Sequence, residues 1–307
     1  MGSALADISK AGVAVWLDDL SRERLQSGSL EKLIETDYVV GVTTNPSIFA
    51  AAIGKSDLYQ ADILKNAQLT TEEIITLLTT DDVRNACDLF AGVYESTLHQ
   101  DGRVSIEVDP RFARDTKATI EQGLALWEII DRPNLLIKVP ATIEGLPAIT
   151  ELISRGISVN VTLIFSVHRY RQVLEAYAAG LKRRIDSQES ISEIYSVASF
   201  FISRIDSAVD ALLPTDSNMR GQTAIANAVM AYESFLNFSA TPSWKELANK
   251  GANLQRPLWA STGVKDPSFD PNLYVLDLVA ANTVNTMPEA TLNSVKNSGV
   301  FNHNLIP

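Results

Sequence analysis

A lysine lies inside an apolar stretch of the sequence, where a charged side chain is expensive to bury. The stretch NLLIKVPA, residues 134–141, is typical of a buried strand, and Lys138 is its one charged residue. An unpaired ammonium in such a place costs several kcal/mol or loses its proton. Because a desolvated lysine more readily becomes a free amine that attacks a carbonyl carbon, Lys138 is a candidate nucleophile.

Two carboxylates occupy comparable positions in other apolar stretches. Glu107 interrupts the alternation of VSIEVDP, and Asp18 follows the apolar lead of AVWLDDL. A buried carboxylate must be paired, hydrogen-bonded or protonated. For Asp18 and its neighbour Asp19, turn formation and helix capping are the alternative interpretation. With Lys138, the two carboxylates make up the set needed for a Schiff base flanked by proton-transfer groups.

Further candidate side chains occur in or directly after other apolar stretches. They are Asn45, Asn160, Thr162, Ser199, Phe201, Arg204 and Ser261. Each has a structural alternative: Asn45 is also a common turn residue, and Arg204 could be half of a solvated surface ion pair. Arg204 and Ser261 could equally hold a phosphate, because arginine supplies paired donors.

Eight strand patterns alternate mostly with helical patterns and predict how these side chains are positioned. The strands are expected at residues 14–20, 39–45, 104–110, 134–141, 158–165, 195–206, 256–263 and 282–288. Such an alternation favours a parallel sheet with right-handed crossovers. We therefore predict the α/β class and a single (β/α)8 TIM barrel over residues 1–307, with the candidate side chains at the carboxyl ends of its strands. An open doubly wound sheet is the alternative, but it gives those side chains no shared centre.

The segments between the strands predict the main helices and one capping motif. Helices are expected over residues 79–98, 112–130, 167–184 and 220–238. Thr70 and Glu73 are spaced as a capping box at the start of a helix.

The composition excludes several classes of protein. The 307 residues are 46% hydrophobic and 21% charged, which is typical of a soluble globular protein. The net charge of −11 argues against non-specific binding to nucleic acid. The sequence has no stretch as long as a membrane span and no signal-peptide pattern at its start. We therefore expect a cytoplasmic protein with neither a nucleic-acid nor a membrane partner.

The sequence shows no pattern for a metal or a nucleotide cofactor. The three histidines, His99, His168 and His303, are scattered, and CxxC, Walker A and GxGxxG patterns are absent. The single cysteine, Cys87, excludes an internal disulfide and fits a reducing compartment. Cys87 falls on the apolar face of a predicted helix, so we expect it in the core.

Six motifs, taken together and in order, resemble those of the transaldolase family. They are GVTTNPSIF, VSIEVDPR, NLLIKVPAT followed by GL, VNVTLIFS, SFFISRID and RPLWASTG. WLDDLSRE near the start and NTVNTMPEATL near the end are similar to the bacterial branch, and the likeness covers roughly residues 10–295. The resemblance implies a cofactor-free barrel enzyme of the pentose phosphate pathway that acts on phosphorylated ketose and aldose sugars. It leaves monomer and homodimer open.

The resemblance also implies roles for the candidate residues. By motif match, Lys138 is the Schiff-base lysine, Glu107 moves protons through a water, and Asp18, rather than Asp19, accepts the proton when the substrate's C3–C4 bond breaks. The remaining matches assign Thr162 to positioning the water, Asn45, Asn160 and Ser199 to sugar hydroxyls, Phe201 to the pocket wall, and Arg204 and Ser261 to phosphate.

Two features depart from the family pattern. Some relatives carry a second phosphate-binding arginine two residues after the serine that matches Ser261, and here that position is Gly263. Lys265 and Arg256 are the candidate replacements. The chain also stops at NSGVFNHNLIP, shortly after the eighth predicted strand. From the resemblance we expect the family's final helices to be missing or replaced.

Three alternative functions remain open at this point. A fructose 6-phosphate aldolase would use the same fold and lysine but release free dihydroxyacetone; Glu107 and Phe201 favour transfer, because the aldolases favour a tyrosine proton donor. A truncated barrel without activity and a phosphosugar-binding module are the others. The presence of Lys138, Glu107 and Asp18 together argues against the truncated barrel.

Overall fold

The structure is a computed structural model that describes residues 3–302 and residue 306. Eight strands pair in chain order, every pair is parallel, and the last strand closes the ring on the first. The strands are β1 Val13–Leu17, β2 Val39–Thr43, β3 Arg103–Glu107, β4 Leu135–Pro140, β5 Val159–Ile164, β6 Ser196–Phe201, β7 Gln255–Ala260 and β8 Thr283–Met287. This closed parallel ring confirms the predicted (β/α)8 barrel and excludes the open sheet.

The helices form the outer layer of the barrel. They are α1 Ala4–Lys10, α2 Arg22–Gln26, α3 Ser29–Thr36, α4 Pro46–Lys55, α5 Gln60–Lys65, α6 Thr71–Leu89, α7 Ala91–Ser96, α8 Thr116–Ile130, α9 Gly145–Ser154, α10 Val167–Asp186, α11 Ser203–Asp210, α12 Thr223–Ser239, α13 Pro242–Asn249, α14 Leu273–Leu276 and α15 Glu289–Ser298. Short 3-10 turns occur at Asp57–Tyr59 and Pro110–Phe112.

The local signals at the helix starts explain several boundaries. The predicted capping box is confirmed at α6: Thr70 Oγ1 accepts from the Glu73 amide, and the Glu73 carboxylate accepts from the Thr70 amide at 2.8 Å. The helix expected from residue 112 begins later, at Thr116, because Asp115 caps it after the 3-10 turn.

The sixth predicted strand, residues 195–206, is wrong in its second half. β6 ends at Phe201, and α11 begins at Ser203. Ile202 and Ile205 continue the apolar pattern into the helix, and a short apolar run does not distinguish strand from helix. Arg204 therefore lies on a helix and not, as expected, on the strand.

The core has an outer and an inner part. The outer part packs between strands and helices and includes the buried Cys87, as predicted. The inner part fills the barrel with an apolar cluster around Trp16, Leu136 and Leu258. Trp16 is fully buried, and a Cβ at Gly41 would stand 2.5 Å from its ring, so only glycine fits there. This apolar plug supports the polar side chains at the carboxyl ends of the strands.

Within the part of the chain that the structure describes, no helix combines the length and the apolar character needed to cross a lipid bilayer.

Candidate active site

Strand register brings Lys138 and its neighbours to one level inside the barrel. Glu107 on β3 is the register partner of Lys138 on β4, and Lys138 is in turn the partner of Asn160 on β5. Register partners on adjacent parallel strands point to the same side of the sheet. All three side chains therefore enter the carboxyl end of the barrel together.

Lys138 is buried but not unpaired. Its Nζ donates to the main-chain carbonyl of Thr44 and lies 3.4 Å from Glu107 Oε2. Thr162 Oγ1 donates to the other oxygen, Glu107 Oε1, also at 3.4 Å. Both contacts are longer than the 2.5–2.9 Å or so of a strong charge-assisted hydrogen bond. The Glu107 carboxylate thus lies between the amine and the hydroxyl with capacity for a closer partner.

Asp18 follows β1 and is held by a pair of threonines. Its Oδ1 accepts from Thr43 Oγ1 at 2.6 Å, and Thr43 Oγ1 is 2.7 Å from Thr286 Oγ1 on β8. Burial raises the pKa of Asp18 above its ordinary value of 3.8, although the Thr43 hydrogen bond and the charges of Lys138 and Arg204 oppose the rise. A carboxylate with raised proton affinity is suited to accept a proton.

Asp19 has a different environment from its neighbour. Its Oδ2 accepts from Arg24 Nε at 3.0 Å, and the same guanidinium also contacts Glu289 Oε2 at 2.8 Å. Asp19 is therefore part of an ion-pair cluster that ties α2 to α15. Asp19 is thus an ion-pair partner and not the expected helix cap, since Ser21 caps α2, and Asp18 is the one that faces Thr43 inside the barrel.

A chain of polar groups crosses the barrel beside Lys138. Asn160 Nδ2 donates to Ser105 Oγ at 3.2 Å, and Ser199 Oγ donates to Asn160 Oδ1 at 2.7 Å. Asn160 is fully buried. Asn45 Oδ1 caps α4 by accepting from the Ile48 amide at 3.0 Å, so the turn alternative accounts for its oxygen. The Asn45 amide group donates no hydrogen bond to any residue in the described part of the chain.

A group of cationic and hydroxyl side chains lies where β6 and β7 end. Arg204 is exposed, stands over the Phe201 ring at 5.2 Å, and makes no ion pair with a described residue. Ser261 Oγ is 3.0 Å from Ser203 Oγ at the start of α11. Among the described residues no side chain caps the first turn of α11, although the amides of Ser203 and Ile205 donate to the carbonyls of Ser261 and Ile202. The positive end of the helix dipole therefore lies beside Ser261.

The two candidate replacements for the missing arginine lie in different places. Lys265 Nζ is 3.9 Å from the position that a Cβ at Gly263 would take. Arg256 is the second residue of β7, at the amino end of the barrel, where it pairs with Asp101 at 2.7 Å. Arg256 is therefore not the replacement, because it lies near the start of β7 and Ser261 directly follows the end of that strand. Lys265 supplies a cation close to the vacant position.

A bulge shapes the apolar rim of the site. Val161 and Ile164 pair with Ala198 and Phe200, so β5 has one residue more than β6 in this interval. The extra residue is accommodated by Leu163 in a left-handed conformation, with φ of 58°. Directly beyond it, the chain brings the Phe165 ring to 5.1 Å from the ring of Phe201.

Sequence reasoning missed the groups that hold the candidate residues in place. These are Thr43 and Thr286 beside Asp18, the Thr44 carbonyl beside Lys138, and Ser105 beside Asn160. Thr43, Ser105 and Thr286 were detectable in principle as polar residues within predicted strands. The Thr44 contact gives no sequence signal, because the acceptor is main chain.

The remaining titratable candidates lie elsewhere. His99 stacks on Tyr94 with ring centroids 4.3 Å apart and contacts Glu193 at 3.2 Å, and His168 is exposed on α10. His303 falls outside the described residues. Within those that are described, no group of three or more His, Cys, Asp or Glu side chains is arranged to hold a metal ion.

Comparison with known proteins places the chain in a family. A family model described as transaldolase/fructose-6-phosphate aldolase matches residues 15–304. A transaldolase of Mycolicibacterium smegmatis is 54% identical, over 98% of this chain and 83% of the relative. A transaldolase of Thermobifida fusca is 52% identical over 98% and 84%, and a transaldolase 2 of Streptomyces avermitilis is 52% identical over 100% and 84%. The chain belongs to the transaldolase/fructose-6-phosphate aldolase family.

Proposed function

We propose that the protein acts as a transaldolase that carries a dihydroxyacetone unit on Lys138. The donor is sedoheptulose 7-phosphate or fructose 6-phosphate, and the acceptor is glyceraldehyde 3-phosphate or erythrose 4-phosphate. The observation that carries the proposal is the buried Lys138, 3.4 Å from Glu107 at the carboxyl end of a closed parallel barrel. Relatives that are named transaldolase and are more than half identical support it.

The first step forms the Schiff base. Lys138, as the free amine, adds to C2 of the ketose phosphate, and the carbonyl oxygen takes a proton to give a carbinolamine. Loss of water then gives the protonated imine. Glu107 lies within 3.4 Å of both Lys138 Nζ and Thr162 Oγ1, where a water held between them can carry protons to and from the departing oxygen.

The second step breaks the C3–C4 bond. Asp18 accepts the proton of the C4 hydroxyl, C4 becomes the aldehyde carbon of the leaving aldose phosphate, and the bonding electrons move toward the imine nitrogen as an enamine. The raised pKa of the Asp18 carboxyl suits it to take this proton and return it. The three-carbon unit stays on Lys138 until an acceptor aldehyde binds.

The third step reverses the second on a new partner. The enamine carbon attacks the acceptor aldehyde, the new alkoxide takes the proton from Asp18, and water hydrolyses the imine to free Lys138. Asn160, Ser199 and the amide group of Asn45 are suited to bind the sugar hydroxyls, and Phe201 to form a wall of the pocket. The buried hydrogen bond of 2.7 Å between Ser199 and Asn160 fixes the orientation of that amide.

We assign phosphate recognition to the group where β6 and β7 end. Arg204 has no carboxylate partner among the described residues, and the start of α11 directs the positive end of its helix dipole to the same place. The Ser261 hydroxyl adds a donor. Lys265, close to the vacant position at Gly263, supplies the second cation.

Reductive trapping tests the assignment of the nucleophile. Borohydride added with fructose 6-phosphate should fix a three-carbon adduct on Lys138, located by mass spectrometry of the digested protein. Lys182→Ala is the matched control, because Lys182 is an exposed lysine whose ammonium pairs with Asp186 at 3.5 Å, far from the site. The assignment fails if no adduct forms, or if the adduct is found on another lysine.

A fructose 6-phosphate aldolase is the second candidate, because the matching family description covers both activities. The two are distinguished by measuring products from fructose 6-phosphate with and without erythrose 4-phosphate. A transaldolase releases its three-carbon unit only as sedoheptulose 7-phosphate when the acceptor is present. Free dihydroxyacetone formed at the same rate without acceptor would show that the aldolase is correct.

We also propose that residues 1–307 form one catalytic domain that acts in the cytoplasm, as a monomer or a homodimer. The single cysteine, Cys87, which is buried, fits a reducing compartment. Light scattering of the purified protein distinguishes monomer from homodimer.

A further inference from the structure

A second cavity lies at the amino end of the barrel, opposite the candidate active site. Its volume is about 190 Å³, and its polar lining consists mainly of Gln100, Arg103, Tyr195, Asn253, Arg256 and Asn282. Arg103 is the first residue of β3 and Arg256 is the second residue of β7, so both lie at the amino ends of their strands. The apolar plug around Trp16 lies between this cavity and Lys138.

Arg103 is buried without a carboxylate partner. It is 1% exposed, and its guanidinium donates to the main-chain carbonyls of His99 and Pro133, at 3.0 and 3.1 Å. The rings of Tyr195 and Tyr94 stand 4.1 and 4.9 Å from its central carbon. Burial lowers the pKa of Arg103 to about 10, which expresses how poorly this charge is neutralised.

Arg256 has donors to spare at the same cavity. Its Nη2 donates to Asp101 Oδ1 at 2.7 Å and to the Gln100 carbonyl at 3.1 Å. Its Nε and Nη1 donate no hydrogen bond to the residues that the structure describes. Since an arginine carries five N–H donors in a planar fork, those on Nε and Nη1 remain for a ligand.

The charges around the cavity do not balance. Arg103 and Arg256 bring two positive charges. Among the described residues the one carboxylate paired with either of them is that of Asp101, which pairs with Arg256. The nearby Glu193 is directed to His99 and does not contact either arginine. Both arginines are buried, although Gln100 and Asn282 at the cavity mouth are exposed. An excess positive charge on buried groups is costly unless an anion or water neutralises it.

We propose that this cavity binds a small oxyanion, either inorganic phosphate or a short phosphate monoester, between Arg103 and Arg256. Guanidinium groups bind tetrahedral oxyanions through paired N–H donors, and Arg256 offers those of its Nε and Nη1 at this cavity. Each nitrogen of Arg103 already donates to the His99 or Pro133 carbonyl, so Arg103 contributes mainly its positive charge. The volume corresponds to roughly six water molecules at about 30 Å³ each. That is room for a phosphate with a short carbon chain. The amides of Asn253 and Asn282 line the remainder.

The test must separate this site from phosphate binding near Arg204. Binding of inorganic phosphate and of glycerol 3-phosphate is therefore measured by calorimetry in an Arg204→Ala background. One site should remain there. Comparison of the two probes identifies the source, because a site for the free ion rejects the ester and a site for a monoester accepts both.

Two substitutions of opposite sign then address the cavity directly. Arg256→Gln removes one positive charge and should weaken phosphate binding at least about tenfold, whereas Asp101→Asn removes the competing carboxylate and should strengthen it about threefold. Arg155→Gln is the matched control, because Arg155 is an exposed arginine bound to Glu151 at 2.8 Å. Circular dichroism and turnover confirm that each variant is folded.

The proposal is overturned if the Arg204→Ala protein binds neither probe at millimolar concentration. It is also overturned if Arg256→Gln and Asp101→Asn change the affinity in the same direction. A purely structural ion pair predicts that second result, because breaking it from either side would disturb the cavity equally.

Discussion

The two ends of the barrel both bury cationic side chains, but they hold them in different ways. At the carboxyl end, Lys138 donates to the Thr44 carbonyl, but Lys138 and Thr162 reach the Glu107 carboxylate only at 3.4 Å, which leaves that carboxylate able to take a closer partner. At the amino end, Arg103 is fixed by carbonyls at 3.0 and 3.1 Å and enclosed by two tyrosine rings. The Glu107 carboxylate is thus the loosely held group, which suits proton transfer, whereas the tightly held Arg103 supports the fold.

The apolar plug around Trp16 separates the two ends. It contains no charged side chain and consists of residues from several strands, including Leu136 on β4 and Leu258 on β7. Substitutions at the carboxyl end should therefore change turnover with little effect on stability. Substitutions at the amino end should do the reverse, and variants that combine the two ends should be additive.

Lys138→Ala should have the largest effect. Without the nucleophile no Schiff base forms, so kcat in the coupled transfer assay should fall roughly 10⁴-fold or more. The melting temperature should be close to that of the unchanged protein, since the lysine lies at a site that a substrate must enter. An unfolded variant would contradict the predicted separation of turnover from stability. A variant that keeps more than a few per cent of the activity would contradict the assignment of Lys138 as the nucleophile.

Asp18→Asn should have the second-largest effect on turnover. Loss of the proton acceptor should lower kcat about 10³-fold. Asp19→Asn is its matched control, because Asp19 is bound to Arg24 outside the site and should leave kcat within about twofold. Comparable losses in both variants would contradict the distinction between the two neighbours.

Arg103→Met examines the amino end. The substitution keeps much of the side-chain volume but leaves the carbonyls of His99 and Pro133 without their donor. The free energy of unfolding in urea should fall by about 3 kcal/mol. The value of kcat/KM for the folded fraction should stay within about twofold, and Arg155→Met should be neutral in both measurements. A loss of turnover without a loss of stability is the contrary outcome.

Arg204→Ala and Lys265→Ala sharpen the assignment of phosphate recognition. Removal of Arg204 should raise KM for fructose 6-phosphate about thirtyfold, and removal of Lys265 about fivefold, with smaller changes in kcat. Because both side chains are exposed, neither substitution should lower the melting temperature appreciably. If Lys265→Ala behaves like the unchanged protein, Lys265 is not the second phosphate ligand.

The smallest effect concerns the stability of Asp18→Asn. The pKa of Asp18 is raised, so between its ordinary value of 3.8 and the raised value the folded protein binds more protons than the unfolded chain. Stability contributed by this group therefore falls as the pH rises through that interval. At pH 7 the variant should melt about 2 °C higher than the unchanged protein.

That difference should close only as the pH is lowered below 3.8, where Asp18 becomes protonated in both the folded and the unfolded protein. Asp19→Asn again serves as the control, because it loses an ion pair and gains nothing. A lower melting temperature for Asp18→Asn at neutral pH would show that the hydrogen bond from Thr43 outweighs burial.

The sequence predicted the fold and the central residues because their signals are local. A lysine, a glutamate and an asparagine in otherwise apolar runs mark inward positions of buried strands, and Lys138, Glu107 and Asn160 do lie at one level. Arg204 was placed on a strand, because apolar periodicity over a few residues does not locate the point where β6 gives way to α11.

What the sequence did not predict depends on register and on main-chain groups. The interval between Arg256 and Ser261 looked short in sequence, but an extended strand covers about 3.3 Å per residue and carries them to opposite ends of the barrel. The threonine pair that holds Asp18 joins β2 and β8, and no local pattern indicates which strands become neighbours.

Closure of the ring has a consequence for the order in which the protein matures during synthesis. β1 pairs along its whole length with β8, beginning with Val13 and Thr283. β1 therefore has both of its neighbouring strands only after β8 has been synthesised. Thr43, which holds Asp18, reaches its own partner Thr286 at the same moment. A chain emerging from the ribosome can thus assemble most of the wall early, but Asp18, the proposed proton acceptor, is held by both threonines only when the last strand arrives. The seam between β1 and β8 makes catalytic competence a late event in the life of each molecule.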